Sequence, residues 1–387
     1  MVVPPLPRPE ASGPFLETYT RGLSTTEFER LFTFDAPEAY RLFTRYADRE
    51  GIRRLPWHRR ALAHARTIFL GFTLRLAPAR RALYAVALIM TGIGAAELMQ
   101  GISLEGLPHP VFASGTWWVL TGFLLLNLIV MLEVADRLSL KNDLEVAREI
   151  QLAMLPRGVY QADCVEAFGM TRPANTVGGD FYDILPRADG TLLLALGDVA
   201  GKGSPASLLM ALLLAMLRTL SDEGLDGAPL VSRLNAQLCK HAPRSRFVTL
   251  FLASLNPATG ELVYVNAGHL PPLVRRAGGR FERLETGGMA LGIWDHATYT
   301  SGRTHLANDD LLVAFSDGIT EAENTDGQPF DDVGLQAIVS GRTWASAKEL
   351  GWEAFAAVEH HVGARRLHDD LTILVVRRLL PVPGVRS

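Results

Sequence analysis

The run LLLALGDVAGKGSPAS, Leu192 to Ser207, decides how this chain reads. It opens with an unbroken apolar stretch, Leu192–Leu196, the pattern of a strand buried on both faces. That strand is expected to stop at Gly197-Asp198 and to pass through Val199-Ala200-Gly201-Lys202-Gly203. Ser204-Pro205 then opens an apolar helix running to about Leu220, because serine caps well and proline suits the first turn. A carboxylate at a buried strand's end, followed by glycines, stands on a rigid support where backbone can approach a ligand. On its own such an aspartate only ends its strand. Its meaning depends on what other acids are sent to the same place.

The strand before it supplies one. Phe181–Leu185 and Thr191–Leu196 flank Arg187-Ala188-Asp189-Gly190, whose Asp-Gly pair is a strong hairpin signal. Folding about that turn lays Asp180 opposite residues 197–199, and so against Asp198. Directly opposed residues have Cβ atoms about 4.5–5.5 Å apart, where like charges repel. A divalent cation removes that cost. Two further strands repeat the pattern: Leu311–Phe315 ends at Ser316-Asp317-Gly318 with Glu321 close behind, and Asp369-Asp370 precedes Leu371–Val376. Oxygen ligands with few Cys or His nearby favour Mg²⁺ or Mn²⁺ over Zn²⁺. Two such ions about 3.5–4 Å apart suit in-line attack on a phosphoryl group.

Size and composition set the frame. The chain has 387 residues, 48% of them apolar, which leaves room for two or three units. A net charge of −3 with no long basic run gives no nucleic-acid surface. Cys164 and Cys239 lie far apart, which argues against a disulfide framework or a zinc site and suits a reducing compartment. The N-terminus lacks the basic-then-apolar order of a cleaved signal peptide.

Residues 1–23 read as a disordered lead-in and Ser24–Glu50 as helical. Between Trp57 and Arg81, arginines interleave with apolar residues, as in a membrane-surface helix or a plain helix. Two apolar runs follow. Gly106–Leu132 has no Asp, Glu, Lys or Arg and is long enough to cross a hydrocarbon core of roughly 30 Å. Ala82–Ala96 reaches spanning length if it continues past Glu97. Arginines before the first run, and Arg137 and Lys141 after the second, put both ends on the cytoplasmic side. A buried hairpin in a soluble protein is the alternative. Glu133–Met154 is then a helix with Leu140, Leu144, Ala147 and Met154 at heptad spacing, interrupted by Gln151 and ended by Pro156. The expected organisation is an N-terminal region 1–81, two transmembrane helices within 82–135, a helical linker 136–157 able to dimerise, and a catalytic domain 158–380.

Five motifs, in order, carry a resemblance. They are Val177-Gly178-Gly179-Asp180-Phe181-Tyr182-Asp183 after Arg172-Pro173-Ala174, then Gly197-Asp198-Val199-Ala200-Gly201-Lys202-Gly203, Asn266-Ala267-Gly268-His269, Ser316-Asp317-Gly318-Ile319-Thr320-Glu321, and Asp369-Asp370-Leu371-Thr372. With the leading Gln151-Leu152-Ala153-Met154-Leu155-Pro156, they resemble the bacterial SpoIIE/RsbU branch of the metal-dependent PPM (protein phosphatase 2C-like) serine/threonine phosphatases, over about residues 148–379. Ser316 stands where Thr is common and Leu270 where Pro is common.

The resemblance implies an α/β sandwich of two central antiparallel sheets flanked by helices, and hydrolysis of phosphoserine or phosphothreonine. It implies two Mn²⁺ or Mg²⁺ ions, bridged by Asp198 with the Val199 carbonyl as a further ligand, Asp317 and Asp369 on one ion and Asp180 on the other side. Asp198 and Asp317 are the catalytic candidates, and of the pair Asp369-Asp370 the first is favoured as the ligand, since the family usually presents the first residue there. Arg172 lies too far before Asp180 to take the phosphate-binding role that an arginine has in eukaryotic-type relatives. Lys202 is a candidate substrate contact or a solvated loop lysine; His269 is a candidate substrate contact or a histidine capping its own turn. The implied partner is a phosphorylated STAS-domain anti-sigma factor antagonist, acted on by a homodimer in the inner membrane with its catalytic domain cytoplasmic. Two other readings are a silent or autoinhibited phosphatase-fold binding module and a nucleotidyl cyclase, which lacks support because no GGDEF-like stretch occurs.

Overall fold

Alternation along two central strands sets the layering of the C-terminal part. The computed structural model describes residues 56–101, 111–162, 164–243, 246–363 and 365–379. The helix expected over Ser24–Glu50 and the lead-in before it lie outside the described residues. The chain divides into one unit ending at Arg137 and a second beginning at Leu138.

In the second unit, β12 (Leu371–Arg378) sends Leu374 and Val376 to one apolar cluster and Leu371, Ile373 and Val375 to another. β11 (Leu311–Phe315) splits its residues the same way. A strand that feeds two cores must lie between two layers. One sheet has the order β1 (Val159–Ala162), β2 (Val165–Arg172), β12, β11, β7 (Leu273–Arg275), β8 (Phe281–Arg283). The other runs β10 (Gly302–His305), β6 (Glu261–Ala267), β5 (Val248–Leu255), β4 (Leu192–Val199), β3 (Phe181–Pro186). Both are antiparallel except for a two-residue parallel pairing of β9 (Gly287–Gly288) on β6. The larger core lies between the sheets and under α4 (Ser204–Asp222) and α5 (Gly227–His241). The smaller lies between β2, β11 and β12 and the helices α7 (Asp331–Gly341) and α8 (Ala347–Val362). A one-turn helix, α6 (Asp317–Thr320), follows β11.

Two local expectations need correction. β4 does not stop at Gly197-Asp198 but continues to Val199, because Thr249 and Val248 of β5 pair with both residues. Ser204 is inside α4, not its cap: Gly203 holds the cap position at φ 76°, and no side chain caps the helix.

In the first unit, α1 (Trp57–Thr73), α2 (Pro78–Gly101) and the start of α3 (Val111–Met154) are described. Arg81 closes the end of α1 by donating to the carbonyls of Thr73, Leu74 and Leu76. α2 and α3 approach closely at glycines: a Cβ on Gly94 would stand 2.7 Å from the Gly115 carbonyl, and one on Gly122 2.9 Å from the Ala87 carbonyl. Arg80 pairs with Asp136 at 2.7 Å and Glu133 at 3.3 Å. Both helices are long and apolar enough to cross a membrane, and only 11% of each apolar window is buried. α4 is also long and apolar, but its Leu209, Met210, Leu213, Leu214 and Leu217 are core. The helix after the second apolar run is not a separate element: α3 continues unbroken to Met154.

Candidate metal centre

The hairpin register decides the centre. β3 pairs with β4 from Pro186↔Leu192 to Phe181↔Gly197, so Asp180 and Asp198 are the next opposed residues at the open end. β11 delivers Asp317 to the first turn of α6, and the turn before β12 delivers Asp369 and Asp370. Two glycines let these segments close up. A Cβ on Gly179 would lie 2.8 Å from the Val199 carbonyl oxygen and 3.1 Å from Asp198 Oδ1. A Cβ on Gly318 would lie 2.1 Å from the Asp370 carbonyl oxygen. Neither position admits a side chain.

Electrostatics reports the crowding. Burial and then the Asp317 charge push Asp198 up to about 6. Burial, followed by Asp198 and Asp370, drives Asp180 well above the usual carboxylate range, although the Thr372 and Ser316 hydroxyls oppose the rise. Burial and then Asp369 and Glu321 raise Asp317. Among the described residues, Asp180 Oδ2 is one of few buried side-chain atoms with no hydrogen-bond partner. A buried carboxylate oxygen without a donor beside a second carboxylate is costly unless a cation serves both.

The donor set fits hard divalent ions: four carboxylates and a backbone carbonyl, all oxygen. No three side chains among the described residues stand in the tight array of a formed ligand shell. Asp369 instead faces Lys202, whose Nζ lies 2.8 Å from Asp369 Oδ2 and donates to the His368 carbonyl at 2.5 Å. Beside this pair opens a cleft of about 340 Å³, lined among others by Lys202, Gly318, Glu321, Arg366 and His368.

Asp370 supports the centre from behind. Its Oδ1 accepts from Ala174 N at 2.7 Å and its Oδ2 from Gly179 N at 2.8 Å, which folds the 174–179 loop over the site. Those bonds partly offset the rise that burial imposes on its pKa. Sequence gave no sign of this role, because the loop it ties is almost two hundred residues away.

His269 turns away from the cleft. It is buried; Nε2 faces the Phe315 carbonyl at 3.1 Å and Nδ1 the Thr249 hydroxyl at 2.9 Å. A carbonyl only accepts, so Nε2 carries the proton and Nδ1 accepts from Thr249. Burial pushes the ring down to about 4, which keeps it neutral. Thr249 is the cross-strand partner of Asp198, and Phe315 ends the strand before Asp317. The imidazole therefore ties together the ends of β4's neighbour and β11. Both ring nitrogens are engaged inside the protein.

A family model described as stage II sporulation protein E (SpoIIE) matches residues 188–379. That match lies within the second unit. The SpoIIE/RsbU resemblance of the motifs is borne out. Over 241 residues the chain is 29% identical to phosphoserine phosphatase RsbU of Bacillus subtilis (strain 168), covering 62% of this chain and 71% of RsbU. It is 23% identical to phosphoserine phosphatase RsbP of the same organism over 244 residues, covering 62% of this chain and 59% of RsbP. Against Synechocystis protein IcfG it spans 43% of that protein at 26% identity. Among solved structures, the SiaA-PP2C domain of Pseudomonas aeruginosa superposes with a TM-score of 0.54 at 21% identity, covering 63% of this chain and 98% of that one. That likeness shows a PP2C-like fold in the second unit.

Proposed function

We propose that the chain is a membrane-anchored, metal-dependent protein serine/threonine phosphatase. The observation that supports this is that the Asp180, Asp317 and Asp369 carboxylates all bear on Asp198, with the Val199 carbonyl against the same glycine as Asp198. Two Mn²⁺ or Mg²⁺ ions would be held by Asp180, Asp198, Asp317, Asp369 and the Val199 carbonyl. Bound there, such ions supply the Lewis acidity that phosphoryl transfer to water requires.

The chain's own groups do the rest. Lys202, half-exposed on the Gly201–Gly203 loop, presents an ammonium at the cleft mouth where a phosphate monoester would enter. A fixed cation there stabilises the dianionic group and the charge that grows on it. The cleft beside it takes the flanking peptide. Asp370 and His269 hold ligands in place without touching substrate. The substrate class follows from the RsbU and RsbP relatives: a phosphoserine or phosphothreonine on a regulatory protein, for which we propose a STAS-domain anti-sigma factor antagonist. α2 and α3 would anchor the enzyme in the cytoplasmic membrane as a two-helix hairpin, with the SpoIIE-family domain on the cytoplasmic side. The exposed apolar residues Leu138, Leu140 and Val146 on α3 support a homodimer through the linker.

The test is hydrolysis of a phosphoserine protein by the full chain with Mn²⁺, with EDTA, and for Asp198→Ala and Asp317→Ala. Each variant should lose about a hundredfold or more. Undiminished, metal-dependent hydrolysis by either would overturn the mechanism. Turnover of a nucleoside triphosphate to a cyclic product would favour a cyclase instead.

A further inference from the structure

Gln151 lies in the last turn of α3 and is almost wholly buried. Both ends of its amide meet a single residue: Nε2 donates to the Gly178 carbonyl at 3.0 Å, and Gly178 N donates to Oε1 at 3.2 Å. A glutamine paired this way substitutes for a neighbouring strand and fixes one peptide unit in orientation as well as place. Gly178 is also closed off on its other side, since a Cβ there would stand 2.2 Å from Asp370 Oδ2. The next peptide, Gly179 N, donates to that same oxygen at 2.8 Å. The Gly178-Gly179 segment is thus gripped from two sides. Asp180 follows at once.

We propose that Gln151 is a positioning residue of the metal centre: it sets the Gly178–Asp180 segment so that the Asp180 carboxylate faces Asp198. The inference rests on the metal-dependent reading above. Other bonds fasten the same helix end. Arg218 Nη2 donates to the Met154 carbonyl at 2.6 Å, and the Tyr182 hydroxyl to the Pro156 carbonyl at 2.9 Å. Neither reaches the loop. Gln151 alone among the described residues of α3 bonds to it, so docking of this turn and cation affinity are linked, each favouring the other.

The experiment compares the full chain in detergent with Gln151→Leu, Gln151→Glu and Tyr182→Phe. Mn²⁺ affinity is read by calorimetry, unfolding in EDTA by circular dichroism, and exchange of the 178–180 amides by mass spectrometry. Gln151→Leu should weaken Mn²⁺ binding about tenfold or more, the usual effect of removing a group that orients a ligand, and speed exchange of those amides. Gln151→Glu keeps the acceptor for Gly178 N and sets a carboxylate against the Gly178 carbonyl; it should also weaken Mn²⁺ binding, and it serves should the leucine variant not fold. Tyr182→Phe loosens the same helix end without touching the loop and should lower the melting temperature with Mn²⁺ affinity intact. Wild-type affinity in a folded Gln151 variant overturns the proposal. So does an equal loss of affinity in Tyr182→Phe. An Asp198→Ala control that still binds Mn²⁺ like wild type would refute the metal-dependent reading instead, whatever Gln151 does.

Discussion

Asp198 ionises near pH 6 because it is buried and faces Asp317. An unfolded aspartate titrates near 3.8, so between those values the native protein holds the extra proton. Stability then falls as pH rises through that window. With EDTA present, Asp198→Asn should therefore gain melting temperature relative to wild type as pH goes from 4 to 7. A variant that tracks wild type across the range would contradict the burial argument. His269 has the opposite sign: its pKa is pushed down to about 4, so the unfolded ring takes up a proton the native ring refuses, and stability is lost as pH falls. His269→Ala leaves the Thr249 hydroxyl and the Phe315 carbonyl without this partner, at a cost of about 1–3 kcal/mol. Its melting temperature should drop while KM for the phosphoprotein holds. A rise in KM with unchanged stability would return His269 to the cleft.

Among the elements, the β3–β4 hairpin was legible because its Asp-Gly turn fixes the register, and the register alone sets Asp180 against Asp198. The far end of β4 was not, since it depends on β5, which pairs with Asp198 and Val199 from fifty residues away. Three roles left no local trace: Gln151, Asp370 and the imidazole bridge each act on a partner in another segment. Glutamine in a helix, or a second Asp beside the first, reads the same whether or not it clamps a loop. The link between β3 and α4 is another such case. Asp183, fully buried, meets Arg218 through two bonds at 2.8 and 3.2 Å. Arg218→Ala would leave that carboxylate buried and unpaired, costing on the order of 3 kcal/mol. Denaturant unfolding should show it, and a loss below about 1 kcal/mol would mean the charge is solvated by relaxation.

For the molecule as a whole, α2 and α3 present apolar surface that the described residues do not cover. In cells, the chain should stay with the membrane pellet through an alkaline carbonate wash; release into the supernatant would show that those faces are covered in some other way. Gly122→Leu, which puts a side chain where Thr91 and the Ala87 carbonyl already lie, should reduce the amount of chain recovered in that pellet.

The strand that lies between β2 and β11 is also the last of the described strands to be made. Until the ribosome has released Leu371–Arg378, neither half of that sheet has its neighbour and Asp369 is missing from the centre. By then α2 and α3 have long been synthesised. Translation thus delivers a nascent chain whose greasy helices can find lipid before β12 and Asp369 exist, and a chain cut before Asp369 should be inert, not merely weakened.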